Sequence, residues 1–328
     1  MRRVARIASL VAVFAVAFGA AWVPLPFYSE GPGPADEIAP LIDVQGVPRY
    51  GSEGRFIMTT VSFTQVTALE SLFVWLDQAR SIVSRDEVYP PGVDPDVDQR
   101  RSISQMDTSK ISASTVVLGE LFDYPQEHGR GALIAQVGAD CPAEGELFVG
   151  DLVVAIEGEG VESVRDARRT LDRVPLDEAI GFRVRAGGEV HDVELRRGPC
   201  PGSEEPLVGI SMVDPFPFEI EISSGEVGGP SAGLMFSLGL YDTLTPGDLT
   251  GGRTIAGTGT LTPQGEVGPI GGIADKVIGA EQVGANVFLV PAQNMSELDG
   301  VDTGAMQLIS VATFDQAVTA LEGLEPQS

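Results

Sequence analysis

This chain of 328 residues is poor in lysine and histidine. Its two lysines, Lys110 and Lys276, stand beside nineteen arginines, and its two histidines are His128 and His191. A Ser-His-Asp triad is therefore poorly supported, because both histidines fall in a stretch that reads as a separate unit. Arginine stays protonated in proteins, whereas a desolvated lysine can lose its proton and act as a base. We therefore single out Lys276, which lies among glycine and aliphatic residues.

Positive charge and nucleotide motifs are also lacking. The formal net charge of −26 argues against nucleic-acid binding, since phosphates would be repelled. Neither lysine lies in the G-x-x-x-x-G-K-[ST] pattern of a Walker A loop, so the sequence predicts no use of ATP. Two cysteines alone do not supply the usual ligands of a zinc site. We expect neither a metal nor a cofactor.

One long apolar run stands at the N-terminus. Three arginines precede an uncharged stretch over residues 7–23, which is at the short edge of a membrane span. Trp22 and Tyr28 suit the interfacial belt of a membrane helix. This pattern predicts a membrane anchor over residues 1–28 or a cleaved signal peptide, and either places the remainder outside the cytoplasm. The family resemblance described below favours the retained anchor.

The two cysteines, Cys141 and Cys200, would be in an oxidising compartment if the chain is exported. One lies near the start and the other at the end of the unit over residues 126–200. In an exported protein such a pair indicates a disulfide, and free thiols are the alternative.

A serine stands where a helix is expected to begin. Gly228, Gly229 and Pro230 precede Ser231, and an almost wholly apolar run follows, as in a buried helix. Proline suits a first helical turn, free N–H groups there favour an oxyanion, and glycine lets the backbone approach a substrate. Lys276 falls in a second helical stretch. We predict that Ser231 is a nucleophile and Lys276 its base, and that backbone N–H groups near Gly228, Gly229 and Ser231 hold the oxyanion. The alternative is a turn with a helix cap and a lysine that reaches solvent.

These motifs also carry a family resemblance. Gly-Pro-Ser-Ala-Gly, followed some forty residues later by Pro-Ile-Gly-Gly-Ile-x-x-Lys, closely resembles the proteolytic domain of Lon-type peptidases over residues 216–291. The resemblance implies a serine nucleophile at Ser231, a lysine base at Lys276 and a threonine, Thr258, that hydrogen-bonds the lysine. It also implies polypeptide substrates and a homo-oligomer, commonly a hexameric ring. Gly228 departs from ATP-dependent Lon, which has a charged residue there.

The segment between the first strands and this motif resembles a different module. The strand order over residues 126–200, with a Gly-Asp-Leu turn, is similar to PDZ modules of exported bacterial proteases, which bind a peptide as an added strand. The resemblance implies that the receiving segment faces a helix starting at Ser163. It consists of Gly131, Ala132, Leu133 and Ile134.

The remaining patterns give an α+β fold with an N-terminal transmembrane helix. Residues 29–54 are rich in glycine, proline and acids and indicate a stalk, whereas a strand is predicted over 55–63 and helices over 67–76 and 96–121. Because the PDZ-like unit lies between that strand and Ser231, we predict an insertion. Residues 29–125 and 201–328 would then form one Lon-like domain around the unit at 126–200.

The function predicted from these observations is an ATP-independent, membrane-anchored serine endopeptidase. Its substrates would be exported or membrane-proximal polypeptides, recognised with help from the PDZ-like unit. The rival is a binding scaffold, a PDZ adaptor on a Lon-like fold that no longer cuts.

Overall fold

The computed structural model describes residues 13, 18–19, 21–77, 79–89, 92–225 and 227–325. Within these ranges the chain is a mixed α/β structure with two larger sheets. The strands are β1 Pro24–Glu37, β2 Ile42–Val44, β3 Arg55–Thr67, β4 Ser81–Ser84, β5 Ala132–Val137, β6 Leu152–Ile156, β7 Glu159–Gly160, β8 Ala179–Ala186, β9 Glu189–Arg196, β10 Ile210–Val213, β11 Ile220–Ile222, β12 Thr254–Gly257, β13 Thr260–Leu261, β14 Val267–Gly268, β15 Val287–Pro291 and β16 Gln307–Val311. The helices are α1 Ala68–Leu76, α2 Arg85–Val88, α3 Pro95–Leu121, α4 Val164–Leu171, α5 Gly233–Leu244, α6 Ile273–Gln282 and α7 Phe314–Glu322, with 3-10 turns at Ala39–Leu41 and Ala292–Leu298.

The first sheet holds the centre of the molecule. Its strand order is β16-β15-β12-β3-β1-β4. β3 pairs in parallel with β12 and antiparallel with β1, so strands from distant parts of the chain meet at β3. β15 is buried along its whole length, as a strand covered on both faces requires. In the sequence, β3 precedes the strands of the second sheet and β12 follows them, so their pairing joins two separate segments of the chain.

The stalk predicted from residue 29 is wrong for residues 29–44. β1 pairs along most of β3, from Pro24 opposite Thr67 to Glu37 opposite Ile57. The glycines and prolines of β1 are accommodated because its pairing shifts register twice, and such irregularities tolerate residues that weaken a regular ladder. β2 then pairs with β11.

Two helices beneath this sheet position the site. α5 is almost wholly buried, as its uniformly apolar sequence requires. α3 packs against it, and α3 begins where the Asp94 side chain accepts a hydrogen bond from Asp96 N–H, with Pro95 at the first helical position. Small buried residues, Ser109 and Ala113 among them, allow the two helices to approach closely.

The second sheet runs β10-β5-β6-β8-β9, with β7 paired to β6, and packs with α4 around its own apolar core. The predicted boundary at residue 200 falls before β10, which belongs to this sheet because it pairs with β5. Cys141 and Cys200 are joined by a disulfide.

The predicted peptide-receiving segment is not an open edge. β5 pairs with β10 on one side, where Leu133 lies opposite Val213, and with β6 on the other, where Leu133 lies opposite Leu152. Its backbone hydrogen-bonding groups are therefore already used. Gly131, Ala132, Leu133 and Ile134 do not offer a place for an added strand. The edge strand on the β5 side of this sheet is β10, which follows all the other strands of the sheet in sequence.

Most of the predicted anchor lies outside the described residues. Among those the structure does describe, no helix is both long and apolar enough to cross a membrane. The last residues assigned to the anchor, 24–28, lie in β1.

Candidate active site

Ser231 lies two residues before α5 on a loop held from several directions. The Ser231 carbonyl accepts hydrogen bonds from the Thr258 hydroxyl at 3.0 Å and from Gly259 N–H at 2.8 Å. The preceding carbonyl, that of Pro230, accepts from the hydroxyl of Ser109 on α3 at 3.2 Å. These contacts fix the backbone that carries the serine.

Lys276 approaches the same serine from α6. Its Nζ lies 2.7 Å from Ser231 Oγ and 3.1 Å from Thr258 Oγ1, and it donates hydrogen bonds to both in the protonated state. The side chain is only 4% exposed. Burial lowers the pKa of Lys276 to about 8, because the charged ammonium loses its hydration. A neutral amine at this distance can accept the serine proton.

Two glycines shape the loop before the serine. Gly229 has φ of +88°, which favours glycine, and its N–H donates to the Ser102 carbonyl of α3 at 2.8 Å. A β-carbon on Gly228 would lie 2.3 Å from Ser102 Oγ, so a side chain there would push the loop away from α3. The N–H of Gly229 is thus engaged and does not serve an oxyanion in this conformation. The N–H groups of Gly228 and Ser231 donate to no other described residue.

A cleft of about 830 Å³ opens beside this pair. β3 contributes residues 59–63 to its wall, just beyond the point at which its pairing with β12 ends at Met58. Within the described residues, that edge of β3 has no strand partner beyond Met58. The cleft is lined by Glu30, Pro34, Met58, Thr59, Thr60, Val61, Ser62, Phe63, Met106, Val227, Gly228, Pro230, Ser231, Ala232, Thr260, Pro269, Ile270, Gly271, Gly272 and Lys276.

One wall of the cleft is acidic, because Glu30 lines it, and Asp275 lies close to Glu30 without lining the cleft. Burial raises the pKa of Glu30, and the nearby Asp275 carboxylate raises it further. Burial likewise raises the pKa of Asp275, against the opposing effect of Arg80. When Glu30 is ionised, its carboxylate attracts a cationic group to this wall.

Residues 218–322 match the Lon protease (S16) C-terminal proteolytic domain. This Lon-type region contains the serine, the threonine and the lysine described above. The match supports a serine peptidase domain in this part of the chain.

Curated relatives are similar over a part of the chain. Lon protease 2 of Herpetosiphon aurantiacus is 36% identical over 87 residues, which is 26% of this chain and 10% of that protein. Lon protease 1 of Sorangium cellulosum is 36% identical over 104 residues, which is 30% of this chain and 13% of that protein. The Lon protease of Rickettsia typhi is 28% identical over 156 residues, which is 43% of this chain and 20% of that protein. The chain thus spans a tenth to a fifth of the length of these relatives.

Solved structures are similar to about a quarter of the chain. The PDZ domain of the SdrC-like protein from Listeria monocytogenes is 20% identical, with a TM-score of 0.24, over 26% of this chain and 88% of that one. The PDZ domain of the SdrC-like protein from Listeria innocua is 21% identical, with a TM-score of 0.23, over 25% of this chain and 92% of that one.

The structure brings together the residues predicted for catalysis but adds others. Ser231, Lys276 and Thr258 meet within hydrogen-bonding distance. Sequence reasoning missed Ser102 and Ser109, since 121 residues separate Ser109 from the carbonyl it binds and α3 carries no motif of its own. It also missed the cleft wall at residues 59–63, for which only the strand pattern was visible.

Proposed function

We propose that this chain is a serine endopeptidase acting through Ser231 and Lys276. The observation that carries the proposal is the 2.7 Å separation of Lys276 Nζ and Ser231 Oγ, with the amine buried. A serine hydroxyl needs a base to become a good nucleophile, and a desolvated lysine with a lowered pKa is such a base. Thr258 holds the amine in line, since its hydroxyl accepts from Nζ while it donates to the Ser231 carbonyl.

The reaction follows from this arrangement. Neutral Lys276 takes the proton of Ser231 Oγ as the oxygen bonds to the carbonyl carbon of a substrate peptide. We assign the developing oxyanion to the N–H groups of Gly228 and Ser231, since neither donates to another described residue. Protonated Lys276 then gives its proton to the leaving amine, and an acyl-enzyme remains. Water attacks this ester with Lys276 again as base, which releases the new carboxyl end and restores the serine.

The open edge of β3 is the proposed binding wall for the substrate. Residues 59–63 present unpaired backbone groups beside Ser231, so an extended peptide can add there as a strand. Such binding requires a locally unfolded substrate. Because the sequence contains no Walker A loop, we propose that unfolding does not come from this chain.

The wider organisation is part of the proposal. The first sheet joins β1, β3 and β4 to β12, β15 and β16, and we assign these strands to a proteolytic domain that the unit ending with β10 interrupts. We propose that residues 7–23 anchor the chain in a membrane, with the peptidase on the outer side. Assembly into a ring stays a prediction.

A second candidate function belongs to the second sheet. β10 is hydrogen-bonded to β5 alone among the described strands, so its outer edge can accept a peptide. Near its end, Asp214 accepts from Val164 N–H at 2.7 Å and ties this edge to α4. We propose peptide capture at β10. It either feeds the cleft or, in the rival scaffold, is the whole function.

Peptide hydrolysis separates the two candidates. The full chain should cleave an unfolded protein such as casein, and Ser231→Ala and Lys276→Met should each abolish cleavage without loss of fold. A peptide boronate should form an adduct with the serine oxygen of the full chain and not with Ser231→Ala. Peptide binding with no cleavage and no boronate adduct in the unsubstituted chain would instead establish the scaffold.

A further inference from the structure

Helix α1 exposes more apolar side chain than its surroundings explain. Its sequence is Ala-Leu-Glu-Ser-Leu-Phe-Val-Trp-Leu, with Glu70 as its single charge. Only Val74 is buried, where the helix packs back on β3, β1 and β4. Trp75 is 80% exposed, Leu76 70% and Phe73 65%. A helix that is apolar nearly all round is normally covered, and a large exposed apolar patch marks a contact surface.

The position of α1 indicates what covers it. The apolar run of the predicted anchor ends at Val23, and Pro24 begins β1 directly opposite Thr67, the residue that caps α1. A chain leaving a bilayer at residue 23 therefore places α1 at the point of exit. Trp22 and Val23 are themselves exposed. This pairing makes the surface of α1 continuous with the anchor.

We propose that α1 lies in the interface of the lipid bilayer, with Leu72, Phe73, Trp75 and Leu76 among the lipid acyl chains. The proposal rests on the membrane anchorage proposed above. A helix that lies in the plane of the interface buries an apolar face at the boundary of headgroups and acyl chains, and tryptophan is enriched at that depth. The occupant is lipid rather than a second copy of the chain, because the apolar face adjoins the predicted membrane segment.

This placement would set the cleft close to the membrane. β3 continues from the cleft wall at Phe63 to Thr67, where α1 begins. These four residues of strand span about 13 Å, which is the distance along β3 from the cleft to α1. Substrates would then be segments that lie within one or two nanometres of the bilayer. Polypeptides tethered to the membrane would reach the serine more readily than free ones.

Tryptophan fluorescence tests the proposal because the chain has only two tryptophans. The full chain would be reconstituted in vesicles of phosphatidylcholine and phosphatidylglycerol, with or without bromine on the acyl chains. Trp22→Phe leaves Trp75 as the reporter of α1, and Trp75→Phe leaves Trp22 as the reporter of the anchor. We expect brominated lipid to reduce Trp75 emission about twofold or more. Leu72→Glu with Leu76→Glu should remove that quenching.

A matched pair on the second unit, Leu176→Glu with Leu207→Glu, changes two other exposed leucines and should leave the quenching intact. Quenching of Trp22 without quenching of Trp75 would overturn the proposal while the anchor stands. Blue-shifted Trp75 emission that bromine does not quench would mean a protein interface and would also overturn it. Hydrolysis of casein in the same vesicles reports the peptidase separately, so its loss does not alter the result for α1.

Discussion

Replacement of Lys276 by methionine separates the cost of burying the amine from its chemical use. Methionine has a similar length and no charge. The lysine is 4% exposed, and burial lowers its pKa from 10.5 to about 8. One pKa unit corresponds to about 1.4 kcal/mol, so burial of the charged amine costs the folded protein about 3 kcal/mol wherever folded and unfolded chains both carry the proton.

The substitution also removes two hydrogen bonds, to Ser231 Oγ and Thr258 Oγ1. At about 1 kcal/mol each, these two lost hydrogen bonds offset part of the stability gained by removing the buried charge. Lys276→Met should therefore raise the free energy of unfolding by about 1–2 kcal/mol at pH 7. Loss of the base should lower kcat by about 10²–10⁴-fold. A more stable and inactive protein is the expected result.

The pH dependence has a definite sign. Between pH 8 and 10.5 the unfolded chain holds a proton that the folded chain has released, so the unsubstituted protein gains stability as pH rises. The advantage of Lys276→Met is thus complete below pH 8 and lost by about pH 10.5. Urea unfolding in detergent at pH 7 and at pH 9.5 measures the difference, and a fluorogenic peptide measures kcat.

Lys110→Met is the matched control. Lys110 is the other lysine, and it pairs with Asp107 at a partly exposed position. Its loss should cost less than about 1 kcal/mol and retain hydrolysis. The reasoning is refuted if Lys276→Met is destabilised at pH 7, or if its stability difference is the same at both pH values.

Further substitutions and conditions test other parts of the site. Hydrolysis by the unsubstituted chain should rise about tenfold from pH 7 to 9, because the neutral fraction of an amine with pKa near 8 rises from about a tenth to nine tenths. Thr258→Val should lower kcat about tenfold through loss of its bond to the amine, and Thr258→Ser should restore it. Gly228→Ala should lower kcat by about one order of magnitude or more, since its β-carbon would lie 2.3 Å from a serine hydroxyl of α3. Cys141→Ala with Cys200→Ala should lower the free energy of unfolding by about 2–4 kcal/mol, with hydrolysis in the folded protein retained. Glu30→Gln should raise KM for basic peptides, because the acidic wall would lose a charge.

Each of these has its own check. A pH profile that is flat between 7 and 9 would exclude the lysine as the titrating base. Equal kcat in the valine and serine variants at position 258 would exclude a role for the hydroxyl. Unchanged kcat in Gly228→Ala would mean that the loop moves without harm. Reductant should lower the stability of the unsubstituted chain to that of the cysteine variant, and equal stability of the two proteins without reductant would mean that the disulfide contributes nothing. Basic and acidic peptides compared in Glu30→Gln must show a difference in KM, or the wall has no influence.

Local patterns predicted much of the secondary structure. The predicted strand at 55–63 and the predicted helix at 96–121 appear as β3 and α3. They were visible because β-branched alternation and the distribution of polar and apolar residues along a helix are properties of neighbouring residues. The helix after Ser231 was visible for the same reason. Its apolar run can only be buried.

Long-range pairing was not visible in the sequence. β1 has the glycines and prolines of a linker, and it is a strand because β3 and β4 lie beside it. The short β10 has no sequence pattern that predicts its partner strand. Because β10 pairs with β5, the edge of β5 that was predicted to receive a peptide is already occupied. Both errors arise because hydrogen bonding between distant strands overrides local preference.

The geometry of the candidate site could be predicted in part. Scarcity of lysine and the glycine-rich motif directed attention to Ser231 and Lys276, which meet in the structure. The spacing of the motif could not reveal that the N–H of Gly229 is used by α3. It could not reveal that α1 lies beside the end of the predicted anchor either, since that depends on the register of β1 with β3.

The central position of β3 has a consequence for how the protein is made. Its neighbour β12 begins at Thr254, 199 residues after Arg55, and a ribosome completes everything in between before the two can meet. The serine and the lysine both follow the second sheet in the sequence. An emerging chain therefore has no complete cleft while its first strands and the second sheet form, and contacts so distant in sequence make for slow folding. The activity proposed for this cleft can begin only after the ribosome has passed Lys276.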